Sequence, residues 1–355
     1  MGYVSVCDKG KIINAVQTGV NVIYWFSIDL TDIDGKPAVV PSAVQPLPDV
    51  TCIGEISQTL RDMNLTTTHL VSVGGWGAPH PVTTFSADAM WAAWKDWNEN
   101  VIAPAGLSGG FDGIDWDMEG ANDPASPTNY LNVDMMDLVG QMSQLAKQDG
   151  YIVSMVPPES YLDQTTSQFD SSLLHPYAEW KPYVTFNYHG HNGYAYLLAK
   201  YGQTKLTTGV VEDTFDLVSI QVYESYTHML YNMTIPPSNE RQSAADYLTT
   251  WIPRMLNGWY VDFASDPAFS FPSQMISINK KALCIGIANG WADNTRNVLI
   301  MPEEAAEAYA TLQASNQEPR GFVFWAVELE GEVPKGQTEP LFMAAGLNEF
   351  LHTRS

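Results

Sequence analysis

Three acidic side chains recur at every second position of one short apolar segment, a spacing that could serve acid catalysis. They are Asp115, Asp117 and Glu119. Alternate side chains of a β-strand point to the same face, so the three carboxyls share one face of the segment. The residues of the other face are Ile114, Trp116 and Met118. We therefore expect the apolar face to pack against helices and the carboxyls to point into the interior of the fold.

Three carboxyls on one buried face cannot all ionise cheaply, because each is desolvated and each raises the pKa of its neighbours. At least one should hold a proton near neutral pH. A protonated carboxylic acid beside a carboxylate is what cleavage of a glycosidic bond requires. Glu119, the outermost and longest of the three, is the predicted proton donor, with Asp117 as its immediate helper.

Two other interpretations of these acids stay open. Asp115, Asp117 and Glu119 also match positions one, three and five of a calcium-binding loop, but position twelve would be Ser126 and the preceding residues resemble a strand. A structural cluster of solvated acids is the other possibility, which so apolar a strand disfavours. We predict no metal and no organic cofactor.

The elements that would position these acids alternate along the whole chain. Short β-branched apolar runs are separated by segments of helical period, which indicates repeated βα units around a parallel sheet. We predict a (β/α)8 TIM barrel, in which catalytic groups lie at the C-terminal mouth of the strands. The eight predicted strands are Tyr3 to Cys7, Asn21 to Ile28, Thr68 to Gly74, Gly110 to Glu119, Tyr151 to Val156, Asp216 to Tyr223, Ala282 to Ala288 and Gly321 to Val327.

Helix starts are predicted from capping residues. Ser86 should cap a helix whose tryptophans pack against the barrel, Thr128 the helix before Gly150, and Pro302 should open a further helix. The tryptophans in question are Trp91, Trp94 and Trp97.

We predict one catalytic domain, residues 1–355, with an insertion after the fifth strand at about residues 175–214. The insertion contains the aromatic run from Tyr183 to Gly190, for which we predict an extra strand, and a short helix around Tyr194 to Tyr201. Insertions at this end of a barrel strand line active sites, so this one could shape a wall of the cleft.

The charge and the cysteine content limit which partners and which cellular compartment are possible. A net charge of −23, from 40 acidic and 17 basic side chains, should repel nucleic acid and acidic membranes, whereas a neutral polymer is allowed. Cys284 lies in an apolar run, which leaves Cys7 and Cys52 as the plausible disulfide pair. Sequons at Asn64 and Asn232 fit a secreted protein. We expect an extracellular monomer whose leader is absent from this chain.

The segment Asp112-Gly113-Ile114-Asp115-Trp116-Asp117-Met118-Glu119 resembles the DxxDxDxE signature of glycoside hydrolase family 18, the chitinase family. Three further motifs follow in the order of that family and extend the resemblance over nearly the whole chain. They are Ser72-Val73-Gly74-Gly75 (the SxGG motif of the third strand), Gln221-Val222-Tyr223 (the sixth-strand motif) and Trp325 (the tryptophan of the eighth strand).

The resemblance implies a retaining, substrate-assisted mechanism, in which the substrate's acetamido oxygen attacks the anomeric carbon. Glu119 would protonate the glycosidic oxygen, and Asp117 would orient the acetamido group. Asp115 would share a proton with Asp117, Tyr223 would hydrogen-bond the acetamido oxygen, and Trp325 would floor the cleavage subsite. Asp112, on the opposite strand parity, is predicted to be structural.

Further residues are predicted to bind substrate. Gln221 belongs to the sixth-strand motif, and Gly74 and Gly75 would let backbone approach the sugar. Glu224 stands where family members commonly carry Asn or Asp, and we expect it near the substrate. Core packing and sugar contact are equally open for the aromatic residues Tyr24, Phe26 and Trp76.

The resulting functional prediction is hydrolysis of β-1,4-linked N-acetylglucosamine polymers, either chitin or chito-oligosaccharides. Two alternatives are a non-catalytic sugar-binding lectin of the same fold and an endo-β-N-acetylglucosaminidase acting on N-glycans. The presence of Glu119 argues against the lectin, because such relatives usually lack this acid.

Overall fold

A computed structural model of the protein describes residues 1–174 and 192–351. Within these residues eight parallel strands close into a barrel, because the first strand pairs with both the second and the eighth. This confirms the predicted fold class and all eight predicted strands. The strands are β1 (Gly2–Val4), β2 (Val22–Ile33), β3 (Thr68–Gly74), β4 (Gly113–Asp117), β5 (Ile152–Met155), β6 (Leu217–Gln221), β7 (Leu283–Ala288) and β8 (Gly321–Trp325).

Helices follow the strands around the outside of the barrel. Those in the described part of the chain are α1 (Lys9–Gln17), α2 (Val50–Asp62), α3 (Ala87–Trp97), α4 (Val133–Gln148), α5 (Ala195–Tyr201), α6 (His228–Thr234), α7 (Ala244–Asn257), α8 (Pro302–Ala314) and α9 (Met343–Leu351). Ser86 caps α3 and Pro302 opens α8, as predicted.

The predicted cap of α4 was wrong. Thr128 lies in a short 3-10 turn, Pro127–Asn129, and the helix begins only after Asn132. The Asn132 side chain accepts a hydrogen bond from the backbone N–H of Met135 at 2.9 Å. Asparagine satisfies a free N–H of the first turn as well as threonine does, so the sequence contained two competing capping signals.

Strand β2 is longer than predicted, because it continues beyond the barrel into a hairpin. Its outer half pairs antiparallel with Lys36–Pro41. The connecting residues Asp34 and Gly35 both have positive φ, 53° and 75°. An Asp-Gly pair between extended segments is a strong hairpin signal, and it was overlooked in the prediction.

Apolar packing occurs in two layers. The larger layer lies between strands and helices and includes Trp116 together with Trp91 and Trp94, which stack with ring centroids 4.8 Å apart. Trp97 is partly buried against the same layer, so the predicted packing role of the three tryptophans is confirmed. The smaller layer fills the barrel interior with Tyr3, Tyr24, Phe26, Leu70, Val156, Leu217, Cys284 and Val323.

The chain makes a long excursion between β5 and β6. Its predicted aromatic strand, Tyr183 to Gly190, lies outside the described residues. The predicted short helix is present as α5, and two short antiparallel strands follow it, Gln203–Lys205 and Val211–Asp213. A second antiparallel pair, Trp259–Val261 with Gln274–Ile276, precedes β7.

The cysteines behave as predicted. Cys7, which follows β1, forms a disulfide with Cys52 of α2, and their Cα atoms are 6.5 Å apart. Cys284 is a buried free thiol in the barrel interior. Among the described helices, none is both long and apolar enough to cross a bilayer.

Candidate active site

Strand β4 directs its alternate side chains as the sequence predicted. Ile114 and Trp116 are fully buried in the outer layer, where the Trp116 indole N–H donates to Ser143 Oγ of α4 at 2.8 Å. Asp115 points the other way, into the barrel, and accepts a hydrogen bond from the Tyr3 hydroxyl of β1. Because Asp115 and Asp117 lie in a strand paired on both sides, the segment is not the first turn of a calcium loop.

Asp115 is the deepest of the three acids. Its Oδ2 atom accepts from the hydroxyls of Tyr3 and Ser72, each at 2.8 Å. Burial raises the pKa of Asp115 to about 6, although the hydroxyl donors Ser154, Ser72 and Tyr3 favour its ionised form. At neutral pH Asp115 is therefore mainly a carboxylate, held in place by hydroxyl donors.

Asp117 and Glu119 form a coupled pair above Asp115. Burial is the main cause that raises the pKa of both, and the negative charges of Glu119 and Asp115 raise that of Asp117 further. Their contact with each other raises the pKa of Asp117 and lowers that of Glu119. The directions of these shifts agree with the expectation that at least one acid of the set holds a proton near neutral pH, which stays a prediction. Hydroxyls occupy Asp115 Oδ2, and the sharing of a proton between Asp115 and Asp117 also stays a prediction.

Gln221, the last residue of β6, connects the pair to the barrel wall. Its side-chain Nε2 donates to Val156 O at 2.6 Å and lies 3.1 Å from Asp117 Oδ1 and 3.3 Å from Glu119 Oε1. An amide nitrogen carries two protons. Since one is directed to the carbonyl of Val156, the other is shared by the two carboxyls.

These acids form the floor of a pocket of about 280 Å³ at the C-terminal ends of the strands. The pocket brings together eight residues that the sequence analysis had named as candidates. They are Phe26, Trp76, Asp117, Glu119, Gln221, Tyr223, Glu224 and Trp325. These residues are spread along most of the chain, from Phe26 to Trp325, so it is the fold of the barrel that brings them together.

Three residues predicted to contact substrate do not line this pocket. Tyr24 is fully buried in the barrel interior, stacked on Tyr3 with ring centroids 4.6 Å apart. It lies in the first half of β2, not at the end of a strand, because β2 extends to Ile33. Core packing, the alternative left open for Tyr24, is therefore its role.

Gly74 and Gly75 lie where other parts of the barrel approach closely. A Cβ atom on Gly74 would lie 2.3 Å from the carbonyl oxygen of Asp117, and one on Gly75 would lie 2.3 Å from the ring of Phe26. Both glycines also have positive φ, 99° and 111°. They allow β3 to approach β4 and the Phe26 ring closely.

Tyr223 and Glu224 form the wall beside the carboxyl pair. Burial, followed by the charges of Glu224 and Glu119, holds the pKa of Tyr223 well above its usual value, so its hydroxyl stays protonated. Burial and the charge of Glu119 likewise hold the pKa of Glu224 well above its usual range. Glu224 is thus a fourth carboxyl of the site.

The aromatic wall contains one residue that the sequence analysis missed. Trp291, from the loop after β7, donates its indole N–H to the carbonyl of Trp325 at 2.8 Å, and its ring meets that of Tyr223 edge-on at 5.9 Å. Trp325 in turn contacts Phe26 with centroids 4.8 Å apart. The position of Trp291 just after a barrel strand was a usable signal, because such loops form the mouth.

Four further lining residues were also missed, and no motif pointed to them. They are Gln45, Ser225, Arg296 and Asn297. Arg296 brings a positive charge to a pocket that otherwise carries acids.

Asp112 lies at the opposite end of β4, away from the pocket. Its Oδ2 atom accepts from the backbone N–H of His69 at 2.7 Å. The predicted structural role of Asp112 is therefore confirmed. In the described part of the chain, no group of three or more His, Cys, Asp or Glu side chains has the arrangement of a metal site.

No protein-family model matches the sequence. No curated protein matches it either. Similar solved structures exist, however. A fungal endo-β-N-acetylglucosaminidase from glycosyl hydrolase family 18 is 14% identical, with 95% of this chain and 89% of that chain covered at a TM-score of 0.51.

The barrel fold is therefore similar to that of a solved family 18 protein. Concanavalin B, at 12% identity, superposes over 92% of each chain with the same TM-score of 0.51. A family 18 chitinase from Pseudoalteromonas aurantia is 15% identical and covers 93% of this chain and 96% of its own, at a TM-score of 0.49. At such low identities only the fold is shared, so activity has to be argued from the site.

Proposed function

We propose that the protein is a glycoside hydrolase that cleaves β-1,4-linked N-acetylglucosamine polymers with retention, by substrate-assisted catalysis. The observation that carries this proposal is the Asp117–Glu119 pair. Both carboxyls are buried, have raised pKa values, lie within hydrogen-bonding distance of one Gln221 amide, and line a pocket together with Tyr223 and Trp325. The proposal rests on this geometry together with the family 18 fold.

The reaction begins with proton transfer from Glu119 to the glycosidic oxygen as the bond to the anomeric carbon breaks. The acetamido oxygen of the same sugar attacks that carbon, giving an oxazolinium ion, so no protein nucleophile is needed. Asp117 orients the acetamido N–H and stabilises its positive charge, while the Tyr223 hydroxyl donates to the acetamido oxygen. Water then attacks the anomeric carbon from the face that the leaving group has vacated, which breaks the bond between that carbon and the acetamido oxygen, and a proton of the water passes to Glu119.

Gln221 supports the first step electrostatically. When Glu119 gives up its proton it becomes a carboxylate in a buried site, and the Gln221 amide is already directed at its Oε1 atom. Donors placed in advance where charge develops are among the largest contributions to catalysis. Trp325 and Trp291 add flat apolar surface for pyranose rings.

A neutral N-acetylated polymer fits the charge of the protein. With a net charge of −23 and four carboxyls at the site, a polyanionic saccharide would be repelled. Uncharged acetamido sugars avoid this repulsion.

The test is the variant Glu119→Gln with Glu349→Gln as a matched control on the exposed side of α9. On an N-acetylglucosamine hexamer we expect Glu119→Gln to lose about 10²- to 10⁴-fold in kcat, the typical contribution of a general acid. Hexamer binding, measured by calorimetry, should survive, and the wild-type enzyme should release the β-anomer first, as seen by NMR.

Three outcomes distinguish the chitin-cleaving hydrolase from its alternatives. Unchanged turnover in Glu119→Gln would refute the assignment of Glu119 as acid. A wild-type protein that binds the hexamer but releases nothing from it or from a glycoprotein would be the lectin. Release of N-glycans from the glycoprotein without cleavage of the hexamer would identify the endo-β-N-acetylglucosaminidase.

We also propose that the protein is extracellular and acts as a monomer. The Cys7–Cys52 disulfide supports the location, because disulfides persist in oxidising compartments. Recovery of the protein with both thiols reduced from the interior of its source cells would contradict this location. A sedimentation mass of twice the chain mass would contradict the monomer.

A further inference from the structure

The backbone between the two catalytic acids lies beyond the strand pairing on one side of β4. Pairing of β4 with β5 ends at Trp116, whose carbonyl accepts from Val156 N at 3.0 Å. On the β3 side, Gly75 N still donates to the carbonyl of Asp117 at 2.6 Å. The peptide groups of Met118, which separates Asp117 from Glu119, are fully buried and need partners from elsewhere.

The hydroxyl of Tyr194 supplies these partners. It accepts from the backbone N–H of Met118 at 2.5 Å and lies 3.2 Å from the carbonyl of Met118 and 3.5 Å from that of Trp116. A hydroxyl has one proton, so it donates to one of these carbonyls, of which that of Met118 is nearer. One side chain thereby replaces the interstrand hydrogen bonds that β5 no longer makes.

A second tyrosine extends this support to the residue after Glu119. The Tyr161 hydroxyl accepts from the backbone N–H of Gly120 at 3.4 Å. The rings of Tyr161 and Tyr194 stack with centroids 6.1 Å apart, and Tyr194 N donates to the carbonyl of Tyr161 at 3.1 Å. The two rings therefore form one unit beside residues 118–120.

Tyr194 is held firmly in its own position. Two residues before it, the Asn192 amide donates to the carbonyls of Thr166 and Gln168 at 3.1 and 2.9 Å and accepts from the Trp259 indole N–H at 2.9 Å. Asn192 and Tyr194 are both fully buried. Burial holds the pKa of the Tyr194 hydroxyl well above its usual value, so it keeps its proton over the working range of a hydrolase.

We propose that Tyr194, assisted by Tyr161, is a positioning residue that fixes the distance and orientation of Asp117 and Glu119 through the Met118 peptide. The inference rests on the proposed function and deepens it. Neither tyrosine lines the pocket, so both act through the backbone and not on the sugar. The excursion after β5 thus contributes to catalytic geometry, in addition to any role in shaping the cleft.

The experiment compares Tyr194→Phe with Tyr196→Phe, both in the full chain. Tyr196 is the matched control, because it lies on α5, is buried like Tyr194, and donates its hydroxyl to Asp137 at 2.8 Å, away from the pocket. On the N-acetylglucosamine hexamer we expect kcat of Tyr194→Phe to fall about 10- to 100-fold with KM within about threefold, since a misplacement near 1 Å costs about a hundredfold. Tyr196→Phe should keep the wild-type kcat.

The pH profile of kcat/KM provides a readout that a loss of stability alone would not change. A relaxed Met118 peptide weakens the contact with Asp117 that lowers the pKa of Glu119, so the basic limb of Tyr194→Phe should move to higher pH. A folded Tyr194→Phe enzyme with wild-type kcat and wild-type profile would overturn the proposal.

Two further variants keep the inference testable. If Tyr194→Phe does not fold, Tyr161→Phe decides: a smaller fall in kcat in the same direction supports the proposal, and an unchanged kcat overturns it. Glu119→Gln in the same assay separates a failure of the proposed function from a failure of the positioning role. If Glu119→Gln is fully active the proposed function fails, whereas if it is inactive and Tyr194→Phe is normal, only the positioning role fails.

Discussion

Replacing Gln221 by methionine tests how the carboxyl pair is tuned. Methionine fills a similar volume but has no hydrogen-bond donor. Gln221→Met therefore removes the amide N–H that is directed at Asp117 and Glu119, and also the hydrogen bond to Val156 O. Hydrogen bonds to charged groups contribute about 1.5–3 kcal/mol. Each ~1.4 kcal/mol is a factor of ten in rate, so loss of this bond to the developing Glu119 carboxylate should lower kcat about 10- to 150-fold.

The same variant has a predicted effect on pH dependence whose sign follows from the structure. Burial raises the pKa of Glu119, and the Gln221 bond opposes that rise by favouring the carboxylate. Without the amide the pKa of Glu119 rises further, so the acid keeps its proton to higher pH. The basic limb of kcat/KM should therefore move to higher pH.

The assay is hydrolysis of the N-acetylglucosamine hexamer between pH 4 and 10, with Gln144→Met as control. Gln144 also donates to a backbone carbonyl, that of Gln203 at 2.8 Å, but on the protein surface. A basic limb that stays in place or moves to lower pH in Gln221→Met would refute the electrostatic reasoning. A kcat within about twofold of wild type would show that the amide does not stabilise the transition state.

Two more predictions follow from residues outside the motifs. Trp291→Ala should raise KM for the hexamer about tenfold with kcat nearly unchanged, because an aromatic contact of the order of 1 kcal/mol is lost on binding; a fall in kcat alone would contradict a sugar-binding role. Burial opposes the charged form of His228, but the bond to Asp163 Oδ2 at 3.0 Å and the nearby acids raise its pKa to about 9. This value lies above that of an unfolded histidine, ~6.5, so the pair stabilises the fold fully below that pH, and the stability is lost as pH rises through about 9. Urea unfolding of His228→Gln should lack this decline between pH 6.5 and 9, and a decline equal to that of wild type would contradict it.

The sequence predicted the barrel well because its strands are short apolar runs whose boundaries are set by turns. It also predicted the faces of β4, since a period of two leaves only one way to place Asp115, Asp117 and Glu119 together. Bounds were less certain where two signals compete, as at Thr128 and Asn132, or where a strand continues past the barrel, as in β2.

The parts of the site that escaped prediction depend on distances between remote segments. The hydroxyl contacts of Asp115 depend on where Tyr3 and Ser72 arrive from β1 and β3. Tyr194 appears in sequence as one aromatic residue among many in the excursion. Its role becomes visible only when its hydroxyl is found against the Met118 peptide.

The close approach at Gly74 has a consequence for how this protein can vary. A single added methyl group there would collide with the peptide oxygen of Asp117, so a change that adds no charge would displace one of the pocket's acids. We therefore expect substitutions at the contact between β3 and β4 to be tolerated as poorly as substitutions on the pocket surface. We expect substitutions to be tolerated better in the loops after β6 and β7. Glu224 and Trp291 line the pocket from these loops and lie outside the strands.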